Sequence, residues 1–281
     1  MSEIPNLPQW PWETKESTML DYLRPVGRRI QAASRARTGR APGRRRRAAW
    51  VLVPAALALA AGCGGLGTSS GAPASASASP SVHGNGVAKL RGTEILKQAA
   101  KVSATARSVR IRGKISEEGD VIALNLRIAG PKAAAGTMIM NGQRMGLIRL
   151  GPVAYIKGDA RFWNAAGGPN AVTMFSGKYL KTAANDKDFK DLMSLTIASK
   201  VFAELTKPEG EVTKGAAARV NGLPAITLLD GTGGKLYVAT VGRPYVLRIS
   251  DGKNKLDFFD YNKTMTIRPP ASRLVVETGN R

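Results

Sequence analysis

The chain has 281 residues, a net charge of +22, one cysteine and one histidine. A single cysteine excludes an internal disulfide and a cysteine-based zinc site, and the single histidine, His83 in a low-complexity stretch, leaves the folded part without an imidazole for a Ser-His triad or a metal cage. Residues 1–62 hold 11 of the 42 Lys and Arg residues and 4 of the 20 Asp and Glu residues, so the part from Cys63 onward carries a net charge of +15.

Residues 1–47 form a basic leader that ends in four arginines, and residues 48–62 follow as an apolar stretch. This order is typical of the charged and apolar regions of a signal peptide. A membrane span needs about 20 apolar residues, more than this stretch provides. The leader is long, so two interpretations stay open: translation starts after Met1, or the leader is a cytoplasmic extension that is lost on cleavage. The arginine run leaves both Sec and twin-arginine export open.

Residues 59–63, Leu-Ala-Ala-Gly-Cys, resemble the lipobox of bacterial lipoproteins, except that Ala60 stands where a larger aliphatic residue is usual. The resemblance implies cleavage before Cys63 and attachment of fatty acids such as palmitate to that residue. Three acyl chains, each contributing about 0.8 kcal/mol per buried methylene, are sufficient for stable anchoring. We expect the chain to be held by this anchor on the extracytoplasmic face of the cell membrane.

The segment from Cys63 to residue 87 is rich in glycine, serine, alanine and proline and has almost nothing to bury. This composition predicts a flexible tether. Residues 64–86 would reach about 25 Å by random-coil scaling, which keeps the following domain close to the membrane.

Residues 88–270 are long enough for one domain with its own core. A helix is predicted over residues 94–104, with Thr93 as N-cap. Alternating apolar and polar residues predict strands at 109–115 and 122–128, and shorter strands follow. The shorter strands are expected at 136–140, 144–150 and 153–157.

A helical block is predicted next, capped by Asn185, with one apolar stripe that Pro208 and Gly210 stop. Strands joined by hairpin turns then resume, and residues 271–281 are left as a C-terminal tail. The resulting prediction is an α+β fold: a strongly curved antiparallel sheet, or half-barrel, with helices on its concave face. The stripe consists of Phe189, Leu192, Met193, Thr196, Ile197, Val201, Phe202 and Leu205. The later strands are expected at 212–220, 225–229, 235–241, 245–250 and 255–261.

Several of these segments resemble actinobacterial lipoproteins of the LppX/LprG group, which are similar in fold to the LolA and LolB lipoprotein carriers. The likeness lies in the lipobox, the tether and loose motifs at residues 108–113, 153–158, 220–225 and 235–239. In that group a half-barrel closed by helices encloses an apolar cavity for lipids or acylated glycolipids. The resemblance therefore implies lipid binding without naming the lipid.

No motif indicates an enzyme, a cofactor or a metal. The phosphate-loop-like residues 231–235 lack the required Ser or Thr and precede a strand, so they are interpreted as a hairpin turn. Asp186, Asp188 and Asp191 lack a bidentate glutamate at calcium-loop spacing. The acids Glu117, Glu118 and Asp120 are typical of a solvated turn. Aromatic residues make up 6% of the chain, and the basic residues are scattered along strands, which argues against a nucleic-acid partner.

Two functions remain. The first is a carrier or binding protein for an amphipathic lipid or lipoglycan, monomeric and anchored to the membrane. The second is a surface-tethered interaction protein with a solid core, which binds a cell-wall polymer or a membrane sensor protein. For the first, the expected cavity-lining residues are Ile122, Leu124, Leu126, Ile128, Met138, Met140, Met193, Phe202 and Leu205.

Overall fold

The computed structural model describes residues 84–117, 120–186, 189–208 and 210–277. The leader, the apolar stretch, Cys63, His83 and most of the tether lie outside these residues. The strands are β1 Ser108–Glu117, β2 Asp120–Ala129, β3 Ala133–Met140, β4 Gln143–Leu150, β5 Val153–Gly158, β6 Tyr179–Ala183, β7 Thr213–Val220, β8 Leu223–Leu229, β9 Lys235–Ala239, β10 Val246–Ser250, β11 Lys255–Phe259 and β12 Val275–Glu277. The helices are α1 Gly92–Ala104, α2 Ala160–Phe175, α3 Lys190–Ser194 and α4 Ala198–Leu205.

All twelve strands belong to one open sheet, in the order β12-β6-β5-β4-β3-β2-β1-β11-β10-β9-β8-β7. Two series of antiparallel strands meet where β1 pairs with β11. Strands β1 to β5 are joined by hairpins and are followed by β6 after α2, and strands β7 to β11 form the second series. Every pair is antiparallel except β12 with β6, which is parallel. The predicted α+β class, an antiparallel sheet with helices against one face, is confirmed.

One face of the sheet, called the core face below, is apolar from β6 to β8. Strand pairing aligns its side chains into rows that cross the sheet, and the helices pack over these rows. The alternation follows from the period of two residues in a strand. One such row consists of Phe258, Ile111, Leu126, Gly136, Leu147, Ile156 and Leu180.

The start of α1 differs from the prediction. The helix begins at Gly92, and Arg91 rather than Thr93 occupies the N-cap position. A Cβ atom at residue 92 would lie 2.5 Å from the carbonyl oxygen of Val212, so only glycine permits this close packing. Glu94 accepts a hydrogen bond from the Arg91 backbone N–H at 3.0 Å, which stabilises the first turn.

The predicted single helix capped by Asn185 is wrong, because the structure has two short helices, α3 and α4. Phe189 occupies the N-cap position of α3. Between the two helices Ile197 is extended, with φ −117° and ψ 105°. The chain breaks there because Thr196 is bound from the sheet by Arg149, an interaction between residues 47 positions apart.

Three elements were not predicted: α2, β6 and β12. In α2 the Asp159 side chain accepts a hydrogen bond from the Phe162 backbone N–H at 2.8 Å, and the helix is kinked at Gly167 and Gly168 before Pro169. Local sequence patterns did not predict this helix, because glycine and proline are poor helix formers. The pairing of β12 with β6 extends the sheet past residue 270, where the sequence-based boundary lies.

The space above Gly136 on the core face is filled by Leu126. A Cβ atom at residue 136 would lie 2.6 Å from Leu126 Cδ2, and Leu126 is 3% exposed. We therefore expect Leu126→Trp to overpack the sheet and to lower the free energy of unfolding by about 1 to 3 kcal/mol, measured by denaturant unfolding. The control Arg127→Trp, at an exposed position on the opposite face, changes it by no more than about 0.5 kcal/mol. A Leu126→Trp protein as stable as the wild type would mean that this region is not tightly packed.

Candidate functional site

A groove of about 50 Å³ opens where α1 and the end of α4 lie over strands β8, β9 and β10. We call it the helix-end groove. Its floor is a cross-strand row, in which Leu236 is paired with Leu228 on one side and with Ile249 on the other. Its apolar lining consists of Leu96, Leu205, Pro208, Val212, Leu228, Leu229, Leu236 and Ile249.

The groove exists because α4 ends over the sheet. Thr206 closes the last turn, with its backbone N–H donating to the Phe202 carbonyl at 3.1 Å. Pro208 disfavours helical geometry at the residue before it, so the chain leaves the helix at this point. It returns along the sheet through Val212, which is buried. The result is a recess between the end of α4 and the sheet, lined by residues of both.

Charged groups stand at the rim of the groove. Lys207 pairs with Glu204 at 2.9 Å, and Lys235 is exposed at the start of β9. The Asp230 carboxylate forms hydrogen bonds within the turn between β8 and β9. Its Oδ1 accepts from the Thr232 and Gly234 backbone N–H groups, both at 2.9 Å. Residues 231–235 therefore form a hairpin turn, as predicted. Small-molecule binding sites also combine an apolar lining with a few polar groups, but they hold roughly 300 to 1,000 Å³, whereas this groove holds about 50 Å³.

Arg149 lies on the core face and is 6% exposed. Its Nε donates to Thr196 Oγ1 at 2.6 Å, and its Nη2 donates to the carbonyl oxygens of Pro131 at 2.8 Å and Thr196 at 3.0 Å. Burial lowers the pKa of the guanidinium from its ordinary value, but arginine stays charged in proteins. Its partners are neutral oxygens, with no carboxylate among the described residues. Arg149 thus fixes the break between α3 and α4 to the sheet.

A second buried polar group lies in α2. Trp163 is 1% exposed, and its indole packs between Phe162 and Phe175, at ring-centre distances of 4.9 and 4.5 Å. Its Nε1 has no hydrogen-bond partner among the residues that the structure describes. This arrangement places one unpaired donor in an otherwise apolar cluster.

The nine predicted cavity-lining residues are all buried and belong to one continuous core. Of these nine, only Leu205 also lines the helix-end groove. Their role as ligand contacts stays a prediction. Sequence reasoning missed Leu96, Val212, Leu228, Leu236 and Ile249 as groove residues, although their apolar character on α1 and on alternating strands was visible. Cys63 lies outside the described residues.

Two further observations concern the described residues only. No helix in this part of the chain is both long enough and apolar enough to cross a bilayer. Residues 84–117, 120–186, 189–208 and 210–277 contain no group of three or more His, Cys, Asp or Glu side chains arranged to hold a metal ion.

Solved structures similar to this chain include two mycobacterial proteins. LprF from Mycobacterium bovis matches with 13% identity and a TM-score of 0.43, over 64% of this chain and 97% of that one. The Mycobacterium tuberculosis lipoprotein LppX matches with 12% identity and a TM-score of 0.36, over 63% of this chain and 99% of that one. LppX belongs to the group that the sequence motifs resemble. No family model and no curated protein sequence matches the chain.

The contact between Arg149 and Thr196 can be tested with an isosteric substitution. Thr196→Val removes the hydroxyl that accepts from Arg149 Nε and donates to the Met193 carbonyl at 2.5 Å. The buried Nε–H of Arg149 loses its acceptor, while Arg149 Nη2 keeps the carbonyl oxygens of Pro131 and Thr196, and the Met193 carbonyl keeps the Thr196 backbone N–H. We expect the free energy of unfolding to fall by about 1 to 3 kcal/mol. Thr137→Val, on the exposed side of β3, is the matched control and changes stability by no more than about 0.5 kcal/mol. Identical unfolding midpoints for Thr196→Val and the wild type would contradict this role.

Proposed function

We propose that this chain is an exported lipoprotein, anchored through Cys63 to the outer face of the cell membrane, whose domain binds the acyl part of an amphipathic lipid or lipoglycan. The helix-end groove is the observation that carries the proposal. It exposes an apolar recess at the edge of a large core, and an acyl chain gains free energy by leaving water for such a surface. The anchor rests on the lipobox-like sequence alone.

The polar rim gives the groove its preference for an amphipathic ligand. A headgroup can stay in water beside Lys207 and Lys235 while the chain enters between Leu96 and Leu205. Lys235 favours an anionic headgroup, whereas the charge of Lys207 is compensated by Glu204. This arrangement divides the ligand into an apolar and a charged part, as a phospholipid or acylated glycan requires. The function proposed is binding, without a chemical step.

The solid-core interaction protein is the second candidate, and a specific observation favours it. The groove holds only about 50 Å³, and the nine residues first expected to line a cavity pack against one another. On this proposal the domain presents its basic surface to a cell-wall polymer or a sensor protein, and the core serves stability only. The two candidates differ in whether the protein takes up lipid.

Replacing the anchor residue tests the first half of the proposal. Cys63→Ala removes the only thiol in the chain, so we expect incorporation of labelled palmitate to be lost. Replacement of a serine in the same tether, Ser75→Ala, serves as the control, and this variant still incorporates labelled palmitate. Labelled Cys63→Ala protein would refute the lipoprotein assignment.

Filling the groove tests the second half. Leu96 is half-buried on α1 at the groove, so Leu96→Trp closes the recess while changing the free energy of unfolding by about 1 kcal/mol or less. The probe is dipalmitoyl phosphatidylglycerol, and the measurement is its occupancy on the full chain by native mass spectrometry. We expect occupancy to fall by about tenfold or more, which corresponds to about 1.4 kcal/mol of binding free energy.

The control for this experiment is Leu223→Trp, at a side chain 52% exposed at the start of β8. It adds the same indole away from the groove and leaves occupancy unchanged. If Leu96→Trp and the wild type bind the probe equally, the ligand site is elsewhere. If the wild type binds no probe at all, the solid-core candidate replaces the lipid-binding one.

A further inference from the structure

The face of the sheet opposite the core face is strongly basic where β1, β2 and β11 meet. Arg110, Arg112 and Lys114 alternate along β1 with the core residues Val109, Ile111 and Ile115, so all three point away from the core. Arg127 on β2, Lys255 on β11 and Lys253 in the preceding turn join them. We call these six side chains the basic face.

Strand pairing places like charges directly opposite each other on this face. Arg110 is paired with Arg127 between β1 and β2, and Lys114 is paired with Lys255 between β1 and β11. Side chains in such positions have their Cβ atoms about 4.5 to 5.5 Å apart, and like charges there destabilise the sheet. The fold therefore holds two repulsive pairs that an external anion would relieve.

Few acids compensate these cations. Asp257 on β11 pairs with Arg248 at 2.5 Å and lies 3.9 Å from Lys255. Arg110 donates to Asn125 at 3.2 Å and lies 5.4 Å from the centre of the Phe259 ring. Within the described part of the chain, Arg112, Lys114, Arg127 and Lys253 form no ion pair. Four cations are thus available to a ligand.

The surface between the cations is recessed. A broad, open depression of about 470 Å³ has Ala123, Asn125 and Thr137 among the residues of its floor. Arg112, Lys114, Lys253 and Lys255 border it. Short neutral side chains among long cationic ones leave room for phosphate groups to approach several ammonium and guanidinium groups at once.

We propose that the basic face docks on the anionic phospholipid headgroups of a membrane surface. Charge complementarity supports this partner, because cations spread over three adjacent strands match a two-dimensional array of phosphates better than a single linear chain. Juxtamembrane basic residues bind anionic leaflets in this way, and salt screens the attraction. Helices α1 and α4, on the other face of the sheet, then point away from the bilayer. The proposal is independent of the acyl-binding groove.

The test uses the full chain with Cys63→Ala, so that no lipid anchor contributes. Lys114→Glu combined with Arg127→Glu converts both repulsive pairs into attractive ones while reversing two charges of the basic face. Lys97→Glu combined with Lys101→Glu makes the same change of net charge on α1, where both lysines are exposed. Binding is measured by co-sedimentation with vesicles of equimolar phosphatidylglycerol and phosphatidylcholine, and with vesicles of phosphatidylcholine alone.

We expect the basic-face variant to lose about tenfold or more of its affinity for the mixed vesicles, and the α1 variant to lose about threefold or less. Binding to neutral vesicles is equal for all three proteins. The basic-face variant melts at or above the temperature of the wild type, because it replaces like-charge pairs with opposite ones. Its occupancy by dipalmitoyl phosphatidylglycerol presented as monomers in detergent also stays at the wild-type level, which separates this proposal from the groove.

Equal losses in the two double variants would show that net charge alone drives binding and would overturn the proposal. The proposal would also be overturned if the basic-face variant bound the mixed vesicles as tightly as the wild type does. A third contradicting result is a wild-type protein that binds soluble poly(glycerol phosphate) but not the vesicles. If the basic-face variant melts below the wild type, Lys114→Gln with Arg127→Gln gives the same comparison without new charges. A loss of about threefold or more in that neutral variant supports the proposal, and no loss overturns it.

Discussion

Alternate side chains of the strands from β6 to β8 lie on the same side of one sheet, and this apolar surface must be covered by helices. The coverage comes from α1, α2 and the pair α3 and α4, all of which belong to the same core as the strands. Removing so much apolar area from water is the main source of stability in a fold of this kind. The position of each helix is therefore set by the core face and not by its own propensity.

Arg149 is a charged residue on this otherwise apolar core face, and its contacts affect where the covering helices begin and end. A buried charge costs free energy unless its donors are bound, and here the neutral oxygens of Thr196 and Pro131 bind them. Two of these contacts hold the break between α3 and α4, so α4 starts afresh and ends near Pro208. The helix-end groove lies at that end. The buried polar contact lies at the start of α4 and the apolar recess at its end, so both depend on where this short helix begins and ends.

The sequence predicted the features that depend on neighbouring residues. Alternation along β1 and β2, the turn at residues 231–235 and the presence of α1 all follow from local pattern and turn chemistry. The break at Ile197 was beyond local reasoning, because it depends on Arg149 far away in the chain. The groove also depends on residues that are far apart in the chain, because Leu96 on α1 lines it together with Leu236 and Ile249 on the sheet. The helix α2 was not predicted, because its two adjacent glycines and its proline are poor helix formers.

The central claim is that the domain holds an acyl lipid, and it is tested most directly by what the protein carries after purification. Wild-type protein is purified from a bacterial host, and non-covalent complexes are measured by native mass spectrometry without added lipid. The account predicts one bound acyl lipid per chain, released when the protein unfolds. Protein that arrives free of lipid, and takes none up from phosphatidylglycerol vesicles, would contradict it.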